Sequence, residues 1–173
     1  MTETTESSAE HSWDEEYGEA AEPASEEVSL ERAWDHLDGG EPQNALEELL
    51  QLDPDWPERW IPETLARTQL GELGAARRLL ARTSERAEIG DHPDYLWVKA
   101  ELELAEWRID DARATLEKLV EVEKSPGALS RLALCAELDG NFEKVDTLLE
   151  ESLALEPDGV PIPRFSPEVF EDL

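Results

Sequence analysis

The side chains that most often do chemistry are sparse in this sequence. It has three histidines, His11, His36 and His92, and one cysteine, Cys135, among 173 residues. A zinc site needs several His or Cys ligands at short spacings, as in His-Glu-x-x-His on one helix. No such spacing occurs here, so the sequence predicts no metal site. Cys135 lies in an apolar run, 132–136, which predicts a buried and inert thiol.

Acidic side chains are abundant, with 44 Asp and Glu against 15 Lys and Arg. A catalytic carboxylate needs burial or a partner that shifts its pKa. In an acidic helical chain most carboxylates cover solvated faces, so we expect no catalytic dyad. The sequence also lacks the Gly-x-Ser-x-Gly, P-loop and dinucleotide-binding fingerprints. We therefore predict a protein that is not an enzyme and that has no catalytic residues and no cofactor.

The formal net charge of −29 limits the partners. Phosphate groups would be repelled at long range, so the charge predicts no nucleic-acid partner and no anionic membrane surface. The first residues carry neither a basic nor an apolar segment, and no apolar run approaches the length of a membrane span. With a single cysteine, these features predict a cytoplasmic protein without internal disulfides.

A repeated pattern organises the middle of the chain. Each instance has a Gly, an apolar or Pro residue two positions later, Ala or Val three after that, and Leu four further on; the third instance has Trp in place of Gly. The small residues are separated by steps of 31, 36 and 33, and a period near 34 is typical of stacked helical hairpins. The four instances are Gly40-Pro42-Ala45-Leu49, Gly71-Leu73-Ala76-Leu80, Trp107-Ile109-Ala112-Leu116 and Gly140-Phe142-Val145-Leu149.

Helix and turn signals around the pattern predict four pairs of helices. The first pair begins near Glu26 and ends at Asp53-Pro54, and the second spans Trp60 to about Ile89. The third runs from about 95 to 122 and the fourth from about 127 to 155. A small residue at the start of each second helix lets it approach the first, and the leucine after it packs on the next pair.

These residues resemble the tetratricopeptide repeat (TPR). The fourth repeat fits best, through Leu129, Leu132, Ala133, Gly140, Phe142, Val145, Leu149 and Pro157. The second repeat has Trp60 at the family's first-helix tryptophan. Repeat one departs in its short second helix, and repeat three has Lys124 where Pro is expected. The resemblance covers about 26–158 and implies an all-α, right-handed solenoid of about four TPR-like hairpins.

The resemblance further implies that the first helices line a concave groove for a peptide or amphipathic helix of a protein partner. No basic or Asn side chain occupies its positions, which excludes the type of groove that clamps a C-terminal carboxylate. The alternative is a register error of one residue, which would make these residues ordinary core. The predicted groove positions are Leu30, Trp34, Leu37, Ile61, Leu65, Trp97, Glu101, Leu104, Leu134 and Glu137.

The acidic N-terminal segment, 1–25, is predicted to be largely disordered because few of its residues are apolar. Within it, Ser12 followed by Glu15 has the pattern of a capping box, which predicts a short helix at 12–21 with Trp13 and Tyr17 on one face. This segment is either a solvated tail or a helix that docks, and the chain's own groove is one candidate site. An apolar groove with two tryptophans needs a cover in water.

Arginine is concentrated in residues 57–86, which hold six Arg and four Glu, a net of +2. Arg78, Arg82 and Arg86 are four residues apart on one helix face. They form either a solvated face with pairs such as Arg82–Glu85 or a receptor for an acidic segment.

The C-terminal segment, 159–173, is a Pro-rich linker followed by a helix start at Ser166-Pro167-Glu168. This arrangement resembles bacterial proteins in which a TPR array precedes a zincin-like metallopeptidase domain.

The leading function is therefore a non-catalytic adaptor, or scaffold. The alternative is the N-terminal regulatory or substrate-recruiting part of a bacterial zinc metallopeptidase whose catalytic domain is not in this chain. A third option is an acidic chaperone-like or nucleic-acid-mimicking protein, whose binding to basic partners would weaken in salt.

Overall fold

The fold is described by a computed structural model for residues 25–86 and 89–155. These ranges contain eight α-helices, a short 3₁₀-helix at Pro57–Arg59 and no β-strand. The predicted helix at 12–21 and the segment 159–173 lie outside the described residues. The helices are α1 Glu26–Asp38, α2 Pro42–Leu49, α3 Trp60–Gln69, α4 Leu73–Ser84, α5 Pro93–Ala105, α6 Ile109–Val122, α7 Pro126–Leu138 and α8 Phe142–Leu155.

Consecutive helices pack in four hairpins, α1/α2, α3/α4, α5/α6 and α7/α8. Neighbouring hairpins stack through α2 on α3, α3 on α5 and α6 on α7. The predicted all-α solenoid of four hairpins is confirmed. Stacking is required because each hairpin has an apolar face that it cannot cover alone.

The small residue of the pattern is fully buried in three of the four hairpins. Ala45, Ala76 and Ala112 are 0% exposed, so the first and second helices approach closely there. In the fourth hairpin Val145 is only half-buried, and so is the following Leu149. No further hairpin packs on that face among the described residues, which explains their exposure.

The core is continuous along the stack. One buried cluster belongs to the first two hairpins and includes Leu49 and Leu65, and another fills the last two around Leu116 and Leu129. Both clusters contact Trp97. This first-helix side chain therefore connects the two halves of the solenoid.

All four hairpins turn in the same backbone conformation. Gly40, Gly71 and Gly140 have φ angles of 72°, 76° and 73°, and Trp107 takes the equivalent place with φ 58°. At each turn the N–H of this residue bonds three residues back, and the next N–H bonds five residues back. This is the Schellman arrangement, which caps the carbonyls at the end of a helix. In the third turn the residue with this left-handed backbone is Trp107, which has a bulky side chain.

Two predicted helix ends were wrong. Helix α2 ends at Leu49. Leu52 is buried, but it lies in the irregular segment that follows the helix. Helix α4 ends at Ser84 instead of near Ile89. The hydroxyls of Thr83 and Ser84 donate to the carbonyls of Leu79 and Ala81, at 2.9 and 2.7 Å. Such local bonds compete with helix continuation.

We predict opposite effects for two glycine substitutions that are three residues apart. Gly71→Ala adds a Cβ in open space at positive φ, so only backbone conformation opposes it. It should lower the free energy of unfolding by about 1 kcal/mol. Gly74→Ala lies inside α4 and should raise it by about 0.5 kcal/mol. Urea unfolding followed by circular dichroism measures both, and equal signs would contradict the turn assignment.

We also predict that Trp107→Gly stabilises the chain. The Trp107 side chain is 58% exposed, and glycine in its place relieves the left-handed strain of a φ angle of 58°. Glycine also increases the conformational entropy that the chain loses on folding, which offsets part of this effect. The expected net increase in the free energy of unfolding is about 0.5 to 1 kcal/mol. Trp107→Ala is the matched control, because it removes the ring but keeps the Cβ. If Trp107→Ala raised the free energy of unfolding as much as Trp107→Gly, relief of backbone strain would be ruled out as the cause.

Candidate functional site

The predicted groove positions divide into three sets by exposure. Leu37 and Leu65 are buried in the core and leave almost no surface for a partner. Glu137 is exposed near the end of α7. The remaining positions are half-buried on the first helices α1, α3, α5 and α7, namely Leu30, Trp34, Ile61, Trp97, Glu101, Leu104 and Leu134.

Three of the half-buried positions line one cleft of about 280 Å³. Leu30 and Trp34 come from α1, and Ile61 comes from α3. The sequence did not predict the other walls, because they come from helix ends and connections that only the fold brings beside α1. These walls are Pro57, Glu58 and Pro62 around the start of α3, Thr83 and Arg86 at the end of α4, and Ile89, His92 and Asp94 in the α4–α5 connection and the start of α5.

A second part of the predicted groove surrounds Trp97. A Cβ built on Gly127 would lie 3.5 Å from the Trp97 ring, so the glycine leaves room for the indole between α5 and α7. The guanidinium of Arg131 lies 5.8 Å from the centre of that ring and donates to Glu101 at 2.6 Å. Glu101 is therefore held by α7, and Trp97 serves both the core and the groove surface.

Arginines surround Trp60, next to the cleft. The Arg82 guanidinium lies 4.0 Å from the centre of the Trp60 ring, and Arg86 lies at 5.8 Å. Arg82 also forms an ion pair of 2.7 Å with Asp55, which lies between α2 and the 3₁₀-helix. The sequence had suggested Glu85 as its partner. Arg86, which lines the cleft, has no carboxylate partner among the described residues.

One carboxylate in this region is buried among arginines. Glu63 is 4% exposed and accepts hydrogen bonds from Arg59 at 2.8 Å and from Arg67 at 2.9 Å. Arg59 also donates to the carbonyl of Leu52, beyond α2, and Arg67 pairs with Glu72 in the following turn. The network therefore fastens the second hairpin to the first, and its geometry is structural.

The other buried groups with chemical potential also have structural partners. Glu103 of α5 accepts a hydrogen bond from the Thr115 hydroxyl of α6 at 2.7 Å. Burial raises the pKa of the Cys135 thiol, which is the opposite of an activated nucleophile. In residues 25–86 and 89–155, every buried side-chain nitrogen and oxygen has a partner, and no cluster of potential metal ligands occurs. None of the helices there is long and apolar enough to cross a bilayer.

The fold has counterparts among solved structures of MamA. The chain matches MamA MSR-1 C2 with a TM-score of 0.57 and 20% identity, over 76% of this chain and 77% of the other. A crystal structure of MamA gives 0.54 and 22%, over 80% and 82%, and a point mutant gives 0.58 and 20%, over 78% and 79%. At this identity the likeness supports the tetratricopeptide-type fold alone. No family model and no curated protein matches the sequence.

We predict that Glu63→Gln destabilises the solenoid strongly. It leaves Arg59 and Arg67 facing each other without the buried negative charge that pairs with both. Removing one partner of a buried ion pair costs about 3 kcal/mol. Glu58→Gln is the matched control, since Glu58 is exposed on the adjacent 3₁₀-helix. A loss of unfolding free energy below about 1 kcal/mol for E63Q, the value of a surface pair, would contradict this role.

Proposed function

We propose that this chain is a non-catalytic protein-interaction module that binds an amphipathic helix or extended peptide on its first helices. The observation that carries the proposal is the cleft between α1, α3 and the α4–α5 connection. Leu30, Trp34 and Ile61 are left half-buried there, with no described segment covering them. An uncovered apolar recess with a polar rim is typical of a protein-binding site.

The cleft fits an apolar anchor of a partner better than a polar one. Its floor is aliphatic and indole surface, whose burial contributes about 25 cal/mol per Å². Charged groups are confined to the rim, where Glu58, Arg86 and Asp94 lie. Such groups orient a partner and supply little net affinity. A helix with apolar residues three and four apart would place one or two of them in the recess.

The surface around Trp97, Leu104 and Leu134 extends this site toward the last hairpins. These residues lie on α5 and α7, beyond the cleft along the stack, and all are half-buried. A partner that contacts both regions needs a length of several helical turns. The ion pair between Glu101 and Arg131 lies beside Trp97 and adds a polar contact within this second apolar region.

The occupant can be another protein or residues 12–21 of this same chain. The proposal that the chain belongs to a longer zinc metallopeptidase rests on 159–173, outside the described residues, and remains a prediction. Sequencing of the gene downstream of residue 173 tests it, because a His-Glu-x-x-His segment is required there. Salt-sensitive binding to basic proteins is the property that would favour the acidic chaperone-like alternative.

The adaptor function is tested by comparing two apolar truncations in affinity capture with mass spectrometry. Trp34→Ala removes the indole from the cleft and should reduce capture of cleft-dependent partners by at least tenfold, the loss expected for a tryptophan hot spot. Leu50→Ala removes a 53%-exposed side chain at the end of α2 and should leave capture unchanged. Arg86→Glu reverses the charge on the rim and removes the guanidinium near the Trp60 ring, and it should also weaken capture.

Circular dichroism of each variant provides the folding control for this experiment. Retained helicity in W34A and R86E, together with capture equal to that of the wild type, would show that partners do not use the cleft.

A further inference from the structure

We infer that residues 12–21 of this chain dock in the cleft, and that a protein partner must displace them. This inference depends on the proposed peptide-binding function and adds its regulation. The cleft offers apolar surface from Leu30, Trp34 and Ile61, and Arg86 is the one described Lys or Arg on a rim that also carries the carboxylates of Glu58 and Asp94. The N-terminal segment offers the complementary set, aromatic and acidic.

The apolar complement comes from Trp13 and Tyr17. These residues are four apart, so a helical turn places both rings on one face. Aromatic anchors with this spacing are the usual way in which a helix enters an apolar recess. Residues 1–25 contain no other aromatic side chain. The pairing of segment and cleft is therefore specific to 12–21 within the acidic tail.

Charge complementarity points to the same segment. Arg86 at the cleft has no carboxylate partner among the described residues, and neither has Arg78 on α4. Most of the other described basic side chains pair with a carboxylate. In a chain with a net charge of −29, three described arginines, Arg32, Arg78 and Arg86, have no carboxylate partner, and only Arg86 of these lines the cleft. The segment 12–21 supplies acidic groups on both sides of Tyr17, namely Asp14, Glu15, Glu16 and Glu19.

The segment is tethered close enough to reach the cleft. Ser25 caps α1, and Leu30 and Trp34 follow it by five and nine residues. At 1.5 Å per residue they lie about 8 and 14 Å along the helix from the cap. The four steps from Ala21 to Ser25 span up to about 13 Å. A tether this short gives an effective concentration in the millimolar range, so weak docking is enough to fill the cleft.

The docked segment can be detected through isoleucine δ1-methyl groups in the full-length protein. Ile61 and Ile89 line the cleft, whereas Ile109 begins α6 outside it. Replacing both aromatics, in Trp13→Ala/Tyr17→Ala, removes their ring currents. The ¹H–¹³C signals of Ile61 and Ile89 should shift, and that of Ile109 should not. Unchanged cleft signals would overturn the inference.

Two charge reversals test the electrostatic part. Arg86→Glu should reproduce the shifts of the double variant, because it places a like charge opposite the acidic segment. Arg32→Glu on α1 is the matched control, since Arg32 is also exposed and without a carboxylate partner among the described residues but does not line the cleft. Equal shifts from both reversals would indicate a general charge effect and refute the contact.

Addition in trans identifies the occupant. A synthetic peptide of residues 10–24, added to the Trp13→Ala/Tyr17→Ala protein, should restore the wild-type Ile61 and Ile89 signals, and a scrambled peptide should not. The wild-type signals should be independent of protein concentration. A shift on dilution would show that the segment comes from a second copy and would overturn docking within one chain.

Capture experiments on the same variants separate this inference from the proposed function. If both hold, W13A/Y17A binds a cleft-dependent partner about tenfold more tightly, the factor expected when docking leaves one chain in ten open. If W13A/Y17A leaves the cleft methyl signals unchanged while W34A still reduces capture, docking of residues 12–21 is refuted and the adaptor function is retained. Shifted methyl signals with W34A-insensitive capture would refute the adaptor function and retain the docked segment.

Discussion

The structure depends on how closely the second helix of each hairpin approaches the first. Ala45, Ala76 and Ala112 remove side-chain volume at these contacts, and none of them retains accessible surface. Close approach fixes the angle of each hairpin, and the angle determines which face meets the next hairpin. The leucine one turn later is fully buried in the first and third hairpins, at Leu49 and Leu116. Everything else in the molecule, including the groove, follows from repeating this contact along the chain.

Charge is distributed in a way that serves the same stacking. Glu63 and Glu103 are buried carboxylates that each join two elements, and their arginine, lysine and threonine partners satisfy them. Such pairs add little net stability but penalise any packing that separates them. Most of the described cations pair with a carboxylate, and of the three arginines that do not, Arg32, Arg78 and Arg86, only Arg86 lines the cleft.

Stacking of the hairpins forms the groove, and tertiary packing decides which of the groove side chains stay exposed. First-helix positions face either the core or the open side depending on small rotations of each helix. Leu37 and Leu65 were predicted for the groove and are buried, whereas Trp34 and Ile61 stay partly open. The four share one sequence pattern, so spacing could not separate them. Three of the residues that line the cleft, Arg86, Ile89 and His92, belong to the α4–α5 connection, which has no periodicity.

The sequence by itself determined the helices, their pairing and the small-residue contacts, because these depend on local propensity and on a period that is repeated four times. It also determined the positions of the turns. The left-handed backbone of Trp107 was indicated only by the absence of glycine at that position of the pattern. Tertiary structure alone decided the pairing of Arg82 with Asp55, the burial of Glu63 and the shape of the cleft. The Arg82–Asp55 pair and the cleft join residues far apart in the chain, and the burial of Glu63 depends on the packing around it. Packing sets these distances and exposures, and one sequence carries no periodic signal for it.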